Sequence, residues 1–188
     1  CAAMLTAVLA VVVAVSAAGE WQQVHPRPQP SDLVDVAHDR GRWVAVAADG
    51  RVLESSDGLQ WEVTGGVERV SNASIAAVAA GGGVVVVVSG NGNAEVRAAD
   101  GAWHRGIWTG VLRVGDIRWD GQQFVLLGDD APSYPSPMTP PENALIATSP
   151  DGVDWTVRAT IPDGSTPGLS RLASGGEIRV AVGTMLGV

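Results

Sequence analysis

The stretch SSDGLQW, residues 55–61, is written again as TSPDGVDW at 148–155, and a reduced copy, AADGAW, stands between them at 98–103. A hydroxyl, an acid, a glycine and then a tryptophan is the chemistry of a tight hairpin turn. Ser and Asp side-chain oxygens accept hydrogen bonds from the turn's own backbone N–H groups, and glycine supplies the positive φ that closes it. The Trp that leads the following strand has a large ring to bury against a neighbouring sheet. On this reading Ser56 or Ser55, Asp57, Gly58 and Trp61 form the first turn, and Ser149, Asp151, Gly152 and Trp155 form the third. In the middle copy Ala98 and Ala99 stand in place of the hydroxyl, leaving Asp100, Gly101 and Trp103.

Each copy sits in the same succession of segments. Residues 35–63, 75–104, and 116–130 continued by 144–157 all read as a short strand, a turn, a strongly apolar strand, a second turn, a third strand, the Asp-Gly turn and a Trp-led strand. A further copy begins at 172–188. The first apolar residues after the first turn are Trp43, Val84, Phe124 and Ile178, at separations of 41, 40 and 54. The last interval holds the insertion PSYPSPMTPPEN, 132–143. Without it the period returns to about 40, the span of one four-stranded propeller blade. The expected fold class is therefore all-β: a β-propeller of four-stranded antiparallel blades at about 33–66, 73–108 and 112–161, with a partial blade at 169–188. Trp43 and Trp119 are assigned to its core. Upstream, within 19–32, GEWQQVHP reads as a lone outer strand placed to close the ring against the last blade, followed by a Pro-rich linker.

Composition agrees with this class. The chain has 188 residues, 46% of them hydrophobic and 17% charged, enough for one domain with a real core. Its 24 glycines and 11 prolines suit short strands and tight turns. The net charge is −8, and all twelve basic residues are arginines dispersed along the sequence. No basic stripe is present to track a phosphate backbone, so no nucleic-acid partner is expected. A single cysteine, Cys1, excludes an intrachain disulfide. Residues 1–18 carry no charge and end Ser16-Ala17-Ala18, the small-x-small pattern of a signal-peptidase site. They read as a signal h-region or a membrane anchor, which places the protein in the secreted or cell-envelope compartment, with membrane contact only through this segment if it is uncleaved.

At the repeated turns the chain resembles the Asp-box, or BNR, repeat of the sialidase-like propeller superfamily. It departs from that family's Ser-x-Asp-x-Gly-x-x-Trp by placing Gly directly after Asp. The resemblance implies that the Asp-box is a folding device at the blade periphery, away from the active face. It also raises glycoside hydrolysis as an alternative function. A sialidase site needs three arginines converging on the substrate carboxylate, a Tyr nucleophile paired with Glu, and an Asp acid/base. Arg113, Arg118 and Arg179 are available arginines, but the sole tyrosine, Tyr134, lies in the Pro-rich insertion. No catalytic residue, metal site or cofactor is assigned. The expected function is a non-catalytic exported module that presents loops to a protein or glycan. Its candidate contacts are Tyr134, Asp129, Asp130 and Glu142 at the insertion, and Trp108 on an inter-blade loop.

Overall fold

The computed structural model describes residues 12–15, 21–24, 31–67, 74–98, 100–106, 113–130, 143–162, 168–175 and 178–184. All of the regular structure among these described residues is β. Strands β3 (Leu33–Asp39), β4 (Arg42–Ala47), β5 (Arg51–Ser55) and β6 (Glu62–Gly66) form one four-stranded meander. Strands β7 (Ile75–Gly81), β8 (Val84–Ser89), β9 (Ala94–Arg97) and β10 (Trp103–Arg105) form the second. The third comprises β11 (Arg113–Trp119), β12 (Phe124–Asp129), β13 (Asn143–Ser149) and β14 (Thr156–Pro162). A fourth blade is represented by the hairpin β15 (Gly168–Gly175) and β16 (Ile178–Thr184). Every pairing is antiparallel, and β3, β7, β11 and β15 lie side by side as the innermost strands.

The stacking explains why the second strand of each blade is so apolar. A strand in the middle of a stack is buried on both faces, so its side chains cannot alternate apolar with polar. In β8, Val85 and Val87 join Val44, Val46 and Val52 of the first blade, while Val86 and Val88 join Phe124 and Leu126 of the third. In β12 the other parity, Val125 and Leu127, packs with Leu172 of the fourth. The run VVVVV is thus two interfaces interleaved on one strand.

Trp43 corrects the expectation of a core residue. It is 39% exposed and lies against His38, ring centroids 4.4 Å apart. By register it is equivalent to Val85 and Phe124, which the preceding blade covers. No blade precedes the first among the described residues. Trp119 does pack inward, edge-on to Phe124 at 4.8 Å. In β16, Ile178, Val180 and Val182 are exposed. Val180 and Val182 hold the register positions of Val44 and Val46, which a following blade buries.

Strand β2 (Trp21–Val24) pairs with β1 (Val12–Val15), Val15 opposite Trp21 and Val12 opposite Val24. The sequence reads β2 as a lone outer strand or as one set against the last blade, and the structure pairs it locally instead. A partner a few residues away in sequence costs less chain entropy to reach than one at the far end.

Glycine is demanded by packing at a few points. The Trp119 ring occupies the place of a Cβ on Gly81, only 2.0 Å from its position, so Gly81 lets the third blade lie flush on the second. Gly152 combines φ +80° with Val86 2.4 Å from a Cβ position. Replacing Gly81 by Ala is expected to cost about 2–3 kcal/mol through overpacking. Gly175→Ala, where nothing lies within 4 Å, is expected to stay within about 0.5 kcal/mol. Urea unfolding midpoints of the two variants check both values.

Candidate functional site

The antiparallel meander puts the connections between second and third strands, together with the inter-blade loops, at one end of the blades. The hairpin turns lie at the other. At the turn end, the Ser-x-Asp-Gly copies form closed hydrogen-bond circuits. Ser55 Oγ accepts from the Gly58 amide at 2.8 Å and donates to Asp57 Oδ1 at 3.0 Å. Asp57 Oδ1 accepts from the Leu59 and Gln60 amides, each at 2.8 Å, and Trp61 Nε1 donates to the Gly58 carbonyl at 3.0 Å. The hydroxyl is that of Ser55, because Ser56 is exposed one residue too late in the turn to face the amides.

The third copy repeats the circuit through Ser149, Asp151 and Gly152, with Trp155 Nε1 donating to the Gly152 carbonyl at 2.8 Å. Burial pushes the Asp151 carboxyl up, but the Val153 and Asp154 amides and the Ser149 hydroxyl outweigh it, so the group sits below its ordinary value. In the worn copy Asp100 keeps one such bond, from the Ala102 amide, and a backbone bond from Gly101 to Ala98 closes the turn. A further Asp turn, Asp120-Gly121, accepts from the Gln122 and Gln123 amides on Oδ1 and from Arg179 on Oδ2.

At the loop end, the two described candidates are engaged by the protein itself. Asp129 is 5% exposed, and its Oδ2 accepts from Arg113 Nε and Nη2 at 2.9 and 2.8 Å. Asp130 accepts from the amide of Asn143 at 2.8 Å and from its Nδ2, while the Asp130 amide donates to the Asn143 carbonyl. Residues 130 and 143 therefore form a clamped neck from which the insertion departs. Tyr134, Glu142 and Trp108 lie outside the described residues.

Along the axis the structure assembles a cluster that sequence reading missed. Asp35 and Asp116 occupy the same register position in the innermost strands of the first and third blades. Each bridges to the next blade: Asp35 Oδ2 accepts from the Val78 amide at 3.1 Å, and Asp116 Oδ2 from the Leu172 amide at 2.8 Å. The second blade has Ala77 at this position. Arg118 spans that gap, its Nη1 3.0 Å from Asp35 and its Nη2 3.2 Å from Asp116. Burial drives the Asp116 carboxyl above its ordinary value, opposed by the Leu172 amide, the Arg118 charge and the Ile117 amide, with the Asp35 charge adding to the rise.

Arg113, Arg118 and Arg179 do not converge. The first is held at the loop end by Asp129, the second at the axis, the third by Asp120 beside a turn.

No protein-family model matches the chain, and no curated protein matches it by sequence. Solved structures do. A nidogen/laminin complex aligns at TM-score 0.55 and 16% identity over 75% of this chain and 52% of that one. YCF48 from Cyanidioschyzon merolae aligns at TM-score 0.59 and 18% identity over 85% of this chain and 52% of that one. The chain is a β-propeller. YCF48 bound to D1 peptide aligns at TM-score 0.56 and 17% identity over 82% of this chain and 49% of that one. The propeller described here thus spans about half the length of these structures.

Two variants test the polar braces. Arg118→Gln leaves two carboxylates uncompensated and is expected to cost about 2 kcal/mol at pH 7. A raised Asp116 pKa means that the folded state binds the proton more readily, so this loss should shrink as pH falls through that pKa. Asp151→Ala is expected to cost about 1 kcal/mol at pH 7. Its lowered pKa gives stability that is present above the unfolded value and lost as pH falls through the folded one, so the penalty should also fade in acid. Urea unfolding at pH 7 and at pH 3 follows both.

Proposed function

We propose that this propeller is a non-catalytic, exported interaction module that offers the insertion after β12 to a protein partner. The observation that carries the reading is the clamped neck. Asp129 anchors to Arg113, and the Asp130–Asn143 bonds pin both ends of the loop, so residues 131–142 issue from a fixed base. Connections of this type need only a few residues. Loops on a rigid scaffold are where recognition residues concentrate. Tyr134, an amphipathic ring with few rotamers, is the principal contact, with Glu142 at the loop base and Trp108 on the neighbouring inter-blade loop as accessory contacts. Asp129 and Asp130 hold the scaffold.

Two of the similar propellers are recorded in complexes, one of nidogen with laminin and one of YCF48 with D1 peptide. This supports a protein rather than a glycan as the partner. The Ser-x-Asp-Gly circuits support placing the chain among the BNR/Asp-box propellers, with those residues acting in folding. Export rests on the uncharged run at 1–18.

The test places a photo-crosslinking amino acid at position 134 and a second at position 60 on the turn end, in the source cells. A protein adduct formed from 134 and absent from 60 is the expected result. Equal labelling from both positions, or turnover of a fluorogenic sialoside by the purified protein, overturns the reading.

A further inference from the structure

The sequence holds six Asp-Gly steps, at 49–50, 57–58, 100–101, 120–121, 151–152 and 163–164, and the structure describes all but the last. An Asp-Gly step rearranges without any enzyme. The glycine nitrogen bonds to the aspartate Cγ, its proton and the carboxyl hydroxyl leave as water, and a five-membered succinimide forms. Water then returns to one of the two ring carbonyls. Opening at Cγ restores aspartate, whereas opening at the main-chain carbonyl leaves isoaspartate, whose backbone runs through Cβ and Cγ. Glycine favours the attack because it has no Cβ to shield its nitrogen. Two things oppose it: a carboxylate kept ionised and fixed by hydrogen bonds, and a glycine nitrogen held away from Cγ.

Four of the described steps carry such protection. Asp57 Oδ1 accepts from the Leu59 and Gln60 amides and from the Ser55 hydroxyl, and that same hydroxyl accepts from the Gly58 amide. One serine thus ties down both the carbon to be attacked and the nitrogen that would attack it. The Gln60 and Leu59 amides also hold the Asp57 carboxyl below its ordinary value, and an ionised carboxylate has no hydroxyl to lose. Ser149 makes the same two bonds to Asp151 and Gly152. Asp120 is held on Oδ1 by the Gln122 and Gln123 amides and on Oδ2 by Arg179. Asp49 is held on Oδ1 by the Arg51 amide and on Oδ2 by the Arg51 guanidinium.

Asp100 is the exception. Among the described residues its carboxylate accepts one bond, from the Ala102 amide at 3.0 Å. The Gly101 amide donates to the Ala98 carbonyl at 2.9 Å, a main-chain bond that leaves the carboxylate out of the circuit. Asp100 and Gly101 are both exposed, and nothing lies within 4 Å of the Cβ position of Gly101. The side chain has room to swing onto the nitrogen, and water reaches the ring. Opening an exposed turn of this kind costs little.

We infer that Asp100, among the five described Asp-Gly steps, is the site at which this chain forms isoaspartate, and that Ser55 and Ser149 protect Asp57 and Asp151 from the same reaction. The consequence reaches a blade joint. Isoaspartate adds one atom to the main chain between Arg97 and Trp103, which face each other across β9 and β10. Trp103 packs on the cluster shared by the first two blades, with its Nε1 3.5 Å from the Cβ position of Gly65 and Arg97 over its ring. The modification therefore disturbs the seat of Trp103. It is separate from the partner surface proposed above, which lies at the other end of the blades.

The test ages the purified chain at pH 7, digests it, and assigns isoaspartate position by position by electron-transfer fragmentation. Deamidation at Asn91-Gly92, the one Asn-Gly step of the sequence, raises the mass and is counted apart. Isoaspartate should accumulate at position 100 about tenfold faster than at 49, 57, 120 or 151, the factor that one hydrogen bond to a charged group supplies. In urea the five positions should react at similar rates. Ser149→Ala should speed the reaction at position 151 about tenfold, and Asp100→Glu should abolish the signal at 100. The isomerised fraction should melt about 3 °C below the unmodified chain. Equal rates at 57 or 151 and at 100 in the folded chain, the same ranking in urea, or no acceleration by Ser149→Ala would overturn the proposal. An unchanged Tm would overturn its reach to Trp103.

Discussion

Everything in this structure depends on one requirement: the second strand of a blade with a neighbour on either side must bury both of its faces at once. A sheet in a stack has two neighbours, and no polar side chain can satisfy either of them without a partner. Hence β8 is almost pure valine, β12 is Phe-Val-Leu-Leu at its start, and β4 alternates Val44 and Val46 with Ala45 and Ala47. The burial of these apolar faces is the main favourable term in folding. The tryptophans of the Asp turns extend it, Trp103 against the cluster shared by the first two blades and Trp155 against that shared by the second and third.

Apolar burial holds the blades together but does not fix their backbones in register. That is left to charged side chains at the margins of the interfaces. Asp35 and Asp116 reach amides of the following blade, Asp39 reaches the Gly83 amide, and Asp120 holds Arg179. Each of these acids uses a spare oxygen or the whole carboxylate on a neighbouring blade. On a chain of net charge −8, the arginines among the described residues are consequently much occupied with structure.

Much of the fold was written locally and therefore readable. The Asp-Gly turns at 57–58, 100–101 and 151–152 depend on residues within a few positions of each other, and the apolar second strands are contiguous. What could not be read depends on stacking. Trp43 has the same composition signal as a core residue, yet its exposure follows from what lies beside its blade. Ser55 and Ser56 are chemically identical, and only the closed turn selects between them. Asp35 and Arg118 are 83 residues apart and meet because a whole blade is interposed between their strands. The one hint was an acid in the first strand of two blades at matching positions, just before Val36 and Ile117.

The innermost strands share one more feature. Each departs from regular pairing near its start, between Leu33 and Asp35, Ile75 and Ala77, Val114 and Asp116, and Leu169 and Arg171. A bulge adds one residue to one strand and sharpens its twist, and beyond it the side chains resume their alternation. Deleting the extra residue, Gly115 in the third blade, would leave Val114 opposite Gly128 and Asp116 opposite Leu127, so the bulge sets the twist of the inner strand and not its register. The second connection of the third blade, by contrast, carries a long insertion without disturbing the pairing of β12 with β13. Length is thus added at a connection without consequence for the blade, whereas a residue added at the axis in each inner strand changes the angle at which one blade meets the next.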